Sequence, residues 1–121
     1  MAGYLTSHVL DTARGRPAAG MRLELFRLDG AGGEPDLLTS TSTNAQGRTD
    51  APLIGEGGLN RGVYELVFEV GEYFAGSPET GSADPPFLDR VAVRFGVADP
   101  EAHYHVPLLT SPWSYATYRG S

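Results

Sequence analysis

Apolar and polar residues alternate with a period of two in several separated stretches of the chain. In MRLELFRL, residues 21–28, Met21, Leu23 and Leu25 fall on one side while Arg22 and Glu24 fall on the other. VYELVFEV, residues 63–70, puts Glu65 and Glu69 on one face, and DRVAVRF, residues 89–95, groups Val91, Val93 and Phe95. Period two is the repeat of a β-strand, whose successive side chains point to opposite faces, so each stretch predicts a strand with one wet face. Turn-forming clusters stand between them: ARGRPAAG, LDGAGGEPD, TNAQG, GEGGLNRG and SADPP. Short strands at regular spacing with such punctuation predict an all-β, antiparallel two-sheet sandwich. GEYFAGS, residues 71–77, is short and mixed and predicts one or two helical turns; helix is otherwise nearly absent. The Gly-rich loop at 29–35 is expected to be mobile. With no internal repeat and no linker, residues 1–121 are expected to form one domain.

The same alternation places the candidate chemistry. His103 and His105 are two apart in HYH, so both project from one strand face while Tyr104 turns to the other. Pro107 shares the histidine side and cannot donate to a ladder, so this part of the strand is an edge or a bulge. His8 lies in YLTSHVLD, where Leu5 and Val9 alternate away from it and Thr6 lies beside it on a polar face. Three readings fit this histidine set. The residues are satisfied surface or half-buried histidines; or a His-x-His pair with one distant His holds zinc with open positions for water; or, without metal, a neutral imidazole takes a proton from water near pH 7. The pattern alone does not choose among them.

Composition narrows the field. A chain of 121 residues with 40% apolar content supports one core. No run of eighteen apolar residues and no leader-like N-terminus is present, so the expected location is cytoplasmic, with no membrane partner. The net charge of −6 argues against nucleic acid, which requires a basic surface. Without cysteine there is no disulfide framework, thiol nucleophile or thiolate metal site. All nine basic residues are arginine, whose planar fork suits carbonyl and carboxylate groups. Ser111 and Ser114 lack a Gly-x-Ser-x-Gly setting, which removes the case for a serine nucleophile. Asp11 and the TARG turn read as strand-end and turn chemistry.

Three segments, in order, carry a resemblance. SHVLDTARGRPAAGMRLELFRL near the start, TSTNAQGRTDAPL in the middle and HYHVPLLTSPWSYATYRGS at the end resemble the 5-hydroxyisourate hydrolases of the transthyretin-related family; GVYELVFEVGEYF resembles that family's fifth strand and short helix. The resemblance implies a prealbumin-like sandwich of two antiparallel sheets, four strands each, with one short helix. It implies a homotetramer, a dimer of dimers whose central channel carries the active sites, with no cofactor and no metal. It also implies hydrolysis of 5-hydroxyisourate, a small-molecule product of urate oxidation, to 2-oxo-4-hydroxy-4-carboxy-5-ureidoimidazoline.

Carried over residue by residue, the resemblance makes His8, Arg48 and His105 the expected catalytic residues. Tyr118, Arg119, Gly120 and Ser121 are expected to bind substrate, the closing segment being site material. His103 is expected to be structural or outer to the site, because the family's catalytic position is the second His of HYH. Thr110, Trp113 and Ala116 depart from the usual residues, and Thr110 is expected to need a hydroxyl partner on an apolar strand face. The rival classes are a transthyretin-like carrier of a small ligand, which expects the histidines and arginine to be lost, and an immunoglobulin-like adhesion domain, which expects secretion signals or tandem copies.

Overall fold

The computed structural model of the chain describes residues 2–29, 32–75, 77 and 83–121. Its strands are β1 (Tyr4–Thr6), β2 (Val9–Asp11), β3 (Arg16–Pro17), β4 (Arg22–Arg27), β5 (Asp36–Ser42) and β6 (Gly62–Glu69). After the helix α1 (Val70–Phe74) come β7 (Arg90–Val97), β8 (His103–His105), β9 (Leu108–Thr110) and β10 (Tyr115–Thr117). The helix opens one residue before the predicted stretch. Part of that stretch, and residues 30 and 31 of the Gly-rich loop, lie outside the described residues.

One four-stranded sheet runs β5-β4-β6-β7, all antiparallel. The alternating stretches form β4, β6 and β7. Their inward residues Leu23, Leu25, Tyr64, Leu66, Phe68, Val91 and Val93 are buried, with Met21 just before β4 buried beside them. Outward, Arg90 bridges Glu24 at 2.9 Å and Glu69 at 2.8 Å, and Arg94 meets Glu65 at 3.4 Å, so the wet face is tied by cross-strand ion pairs. Strand β5 gave no alternating signal. Its residues are exposed or half-buried throughout, with Leu37 and Leu38 largely in solvent, and its ladder pairing is to β4.

The facing layer contains the sheet β10-β9-β2-β3 and the pair β1-β8. Its centre departs from the all-antiparallel expectation: β1 runs parallel to β8, and β2 parallel to β9. The two pairs are one ladder interrupted at Ser7–His8 on one side and Val106–Pro107 on the other. Pro107 has no N–H to give. The ladder is continued around it by Val106 N–H to the Thr6 carbonyl at 3.0 Å and Leu108 N–H to the His8 carbonyl at 2.9 Å. The Ser7 hydroxyl donates to the Val106 carbonyl at 2.7 Å, which closes the gap on the buried side. Leu5, Val9, Tyr104, Val106 and Leu108 bring this layer into the common core. Thr110 is fully buried, and its hydroxyl finds the partners it needs in the carbonyls of Ser111 (2.9 Å) and Ser114 (3.3 Å). No helix among the described residues is long and apolar enough to cross a membrane.

Candidate active site

Burial alternates without interruption from Ala2 to Asp11, so Tyr4, Thr6 and His8 share the face opposite to Leu5, Ser7 and Val9. The parallel register sets Tyr4 beside His103 and Thr6 beside His105. Parallel neighbours in register point the same way, so both histidines of HYH, which the spacing placed on one face, join the Tyr4–Thr6–His8 face. The Tyr4 and His103 rings stack at 4.1 Å and 7°. The Thr6 hydroxyl lies 2.6 Å from His103 Nε2 and 2.7 Å from His105 Nδ1. The other nitrogen of His105, Nε2, lies 2.7 Å from His8 Nδ1.

Arg48 reaches this face through a turn that the sequence marked as TNAQG. The Asn44 side-chain oxygen accepts from the backbone N–H groups of Gln46 (2.9 Å) and Arg48 (3.2 Å), and Gly47 N–H bonds the Asn44 carbonyl. Gly47 has φ +76°, and a Cβ there would lie 2.5 Å from the Val9 carbonyl oxygen, so only glycine lets the turn press against β2. The Val9 N–H bonds the Gly47 carbonyl at 2.8 Å, and Arg48 pairs with His8 in an isolated bridge. Arg48 is exposed and forms no salt bridge among the described residues.

The closing segment forms the remaining wall. Gly120 N–H donates to the His105 carbonyl at 2.7 Å, and a Cβ on Gly120 would lie 2.6 Å from His105 Cδ2. Tyr118, Gly120 and Ser121 line an open cleft of about 470 Å³ together with Thr6, His8, Arg48 and both histidines of HYH. Arg119, expected among the substrate-binding residues, is not on that lining. The alternation that turns Tyr118 and Gly120 to the cleft turns Arg119 away, and its guanidinium sits 4.0 Å from the centre of the Tyr104 ring.

The electrostatics of the cleft favour neutral imidazoles. Burial lowers the pKa of His8, and the positive charge of Arg48 lowers it further. His105 is pushed down to about 4, first by burial and then by the charges of His8, Arg48 and His103. No group of three or more His, Cys, Asp or Glu is arranged to hold a metal ion among the described residues. The imidazole nitrogens of His8 and His105 instead face each other and the Thr6 hydroxyl. A second concavity of about 440 Å³ beside α1 is lined by Glu69, Glu72, Phe87 and Trp113 and, among the described residues, by no histidine or arginine. Its glutamates at 69 and 72 are engaged by Arg90 and Arg22.

Residues 5–120 match the family described as transthyretin: HIUase/transthyretin family. The chain belongs to that family. It is 57% identical to the 5-hydroxyisourate hydrolase of Deinococcus radiodurans, with 100% of both chains aligned. Among solved structures it is similar to (S)-allantoin synthase, with a TM-score of 0.88 and 47% identity. That alignment covers 98% of this chain but 44% of the synthase, so this chain spans less than half of that longer one. The transthyretin of Sparus aurata superposes with a TM-score of 0.80 at 30% identity, over 96% of this chain and 95% of that one.

Within this HIUase/transthyretin fold, His103, expected to be structural or outer to the site, lines the cleft, and Tyr4 and Thr6 line it as well without having been assigned by sequence reasoning. The signal for them was present, since YLTSH carries Tyr4, Thr6 and His8 at alternate positions. What was missing was the strand they would stand beside.

Proposed function

We propose that the chain hydrolyses 5-hydroxyisourate in urate breakdown, opening its six-membered ring at an amide bond to give 2-oxo-4-hydroxy-4-carboxy-5-ureidoimidazoline. The observation that carries this reading is the His8–His105 contact of 2.7 Å in a cleft that keeps both rings uncharged, with Arg48 alongside. Two adjacent neutral imidazoles supply a general base and the group that orients it. His8 has Nδ1 engaged by His105, leaving Nε2 to take a proton from water as the water oxygen attacks the ring carbonyl carbon. The carbonyl oxygen then carries negative charge, which the Arg48 guanidinium opposes while holding the flat ring through paired hydrogen bonds. Collapse breaks the C–N bond, and the leaving nitrogen receives its proton from the histidine pair. Tyr118, Gly120 and Ser121 shape the cleft wall, while Arg119 orders the closing segment through Tyr104.

The working form in this reading is one domain per chain, assembled as a homotetramer. Trp113 (60% exposed), Tyr115 (47%) and Tyr118 (57%) lie on the surface of the lone protomer rather than in its core, and all three residues of β10 are exposed. Aromatic side chains gathered in one edge segment favour burial against another chain. A carrier of a small ligand on the same fold is the alternative, and nothing in ligand carriage calls for two touching imidazoles beside an arginine. The deciding experiment mixes the protein with freshly generated 5-hydroxyisourate and follows its ultraviolet decay against the spontaneous rate. Acceleration is expected, and decay at the spontaneous rate would leave the carrier.

A further inference from the structure

Thr6 and His103 have no part in the reaction as described above, yet they complete an unbroken hydrogen-bonded line. It runs from His103 Nε2 to Thr6 Oγ1 (2.6 Å), from Thr6 Oγ1 to His105 Nδ1 (2.7 Å), and from His105 Nε2 to His8 Nδ1 (2.7 Å). A hydroxyl has one proton, so Thr6 donates to one imidazole and accepts from the other; a neutral imidazole has one N–H, so it does the same. The line therefore has two fully bonded proton arrangements, with every donor pointing the same way. In the first, His8 Nδ1–H donates to His105, His105 Nδ1–H donates to Thr6, and Thr6 O–H donates to His103; His8 Nε2 is then a bare lone pair. In the second all three bonds reverse, and His8 Nε2 bears a proton.

We infer that Thr6 and His103 extend the catalytic histidine pair into a proton relay, in which Thr6 is the positioning residue that sets the tautomers of His105 and His8, and His103 is the terminus that receives the proton. The inference rests on the reading of His8 as the base. As water attacks, its proton passes to His8 Nε2 and the Nδ1 proton of His8 moves to His105 Nε2. The Nδ1 proton of His105 moves to Thr6 Oγ1, and the original hydroxyl proton of Thr6 moves to His103 Nε2. His103 becomes an imidazolium while the former carbonyl oxygen becomes an oxyanion, so charge is conserved. His8 now presents Nε2–H, the acid needed by the leaving nitrogen. When it gives that proton up, the three bonds reverse and the first arrangement returns.

The geometry supplies a reason for sending the charge to the far end. His105 is buried and faces His8 and Arg48, both unfavourable to a cation there. His103 is half-buried and lies flat against the Tyr4 ring at 4.1 Å, and the face of an aromatic ring attracts a cation placed over it. Among the described residues, the titratable and charged side chains around the line are Tyr4 from β1, His8 before β2, Arg48 from the 44–48 turn and Tyr118 from the closing segment, and no acidic side chain lines the cleft.

The test uses Thr6→Val, which keeps the shape and removes the hydroxyl, Thr6→Ser, which keeps the hydroxyl, and His103→Phe, which keeps a ring on Tyr4. Thr6→Val and His103→Phe should each lower kcat by about 10- to 100-fold, the range lost when a group supporting a working imidazole is removed. KM should stay within about two-fold, Thr6→Ser should recover most of the rate, and the double variant should be no slower than the slower single one, as expected of residues acting in one unit. Nitrogen-15 NMR of the imidazoles gives a readout that a packing role would not move. The resting wild type should carry the His8 and His105 protons on Nδ1. Thr6→Val should shift both to Nε2, because His105 Nδ1–H has lost its acceptor. Wild-type kcat in Thr6→Val and His103→Phe, additive losses in the double variant, or unchanged tautomers would overturn the relay. If Thr6→Val does not fold, His103→Phe and the wild-type tautomers decide it. His8→Ala separates the two readings: an inactive His8→Ala beside an active Thr6→Val sinks the relay alone, whereas an active His8→Ala sinks the base assignment itself.

Discussion

Gly120 is where one hydrogen atom in place of a methyl group controls the site. A Cβ there would come within 2.6 Å of His105 Cδ2, so Gly120→Ala must displace either the imidazole or the closing segment. The expected result is loss of activity in a protein that still folds, read by comparing turnover with the thermal unfolding midpoint. His8→Ala and His105→Ala should lower turnover on the order of 10²–10⁴-fold, the usual worth of a positioned acid or base. Arg48→Ala should lower it on the order of 10²–10³-fold through the lost charge stabilisation. The pH dependence follows from the direction of the shifts. Catalysis needs bare imidazoles, and burial with neighbouring positive charge lowers both pKa values, that of His105 to about 4. Activity should therefore persist below pH 6.5 and fall on an acid limb that belongs to the coupled pair. A kcat/KM profile from pH 3.5 to 9 checks this, and an acid limb centred above 7 would contradict it.

At the level of elements, two unions hold the site-bearing layer. One is Asp11 at the end of β2, fully buried, which accepts from the Arg14 backbone N–H and guanidinium, each at 3.0 Å, and from the Tyr73 hydroxyl at 2.9 Å. It ties the strand, its following turn and α1 together. Asp11→Ala removes these bonds and should cost about 2–3 kcal/mol, the usual range for bonds to a charged partner, measured by denaturant unfolding. The other is the contact of His105, at the end of β8, with His8, where burial and the nearby charge of Arg48 hold both rings neutral in the folded state to lower pH. The unfolded chain takes up protons near the ordinary histidine pKa of 6.5, while His8 and His105 in the fold stay neutral to lower pH. The unfolded state thus binds more protons as pH falls below 6.5, and stability must fall with it until His105 titrates near 4. Replacing His105 with Gln should flatten that slope in unfolding midpoints measured between pH 4 and 7.

For the whole molecule, the expectation is that assembly and activity go together. The exposed Trp113, Tyr115 and Tyr118 lead along the chain into the closing segment, and Tyr118 itself lines the cleft, so covering that segment would also steady Gly120 against His105. Sedimentation of the purified protein should give a tetramer, and charge introduced at Tyr115 should lower both association and turnover; a fully active monomer would defeat the channel architecture. Acceleration of 5-hydroxyisourate decay should also persist in a chelator, since both nitrogens of His105 are engaged, one by His8 and the other by Thr6, and His8 keeps only Nε2 open. Loss on chelation with recovery on zinc would return the His-x-His metal reading.

By itself, the sequence determined which side chains share a strand face. Alternation is a local property of extended backbone, so Thr6 with His8, His103 with His105, and Tyr104 opposite could be read directly from spacing. The Asn44–Arg48 turn was legible for the same reason, being set by Asn and Gly chemistry within five residues. Strand β5 was not, because a strand with both faces toward solvent has no apolar period to betray it. Only the tertiary structure decided what those faces meet. Thr6 and His103 are 97 residues apart, and their contact depends on a parallel register fixed by burying Leu5, Tyr104, Val106 and Leu108 together. It likewise turned Arg119 onto Tyr104 and brought Arg48 to His8 through Gly47. Pairing partner and register minimise exposed apolar surface over the whole core, and no local stretch of residues contains that information.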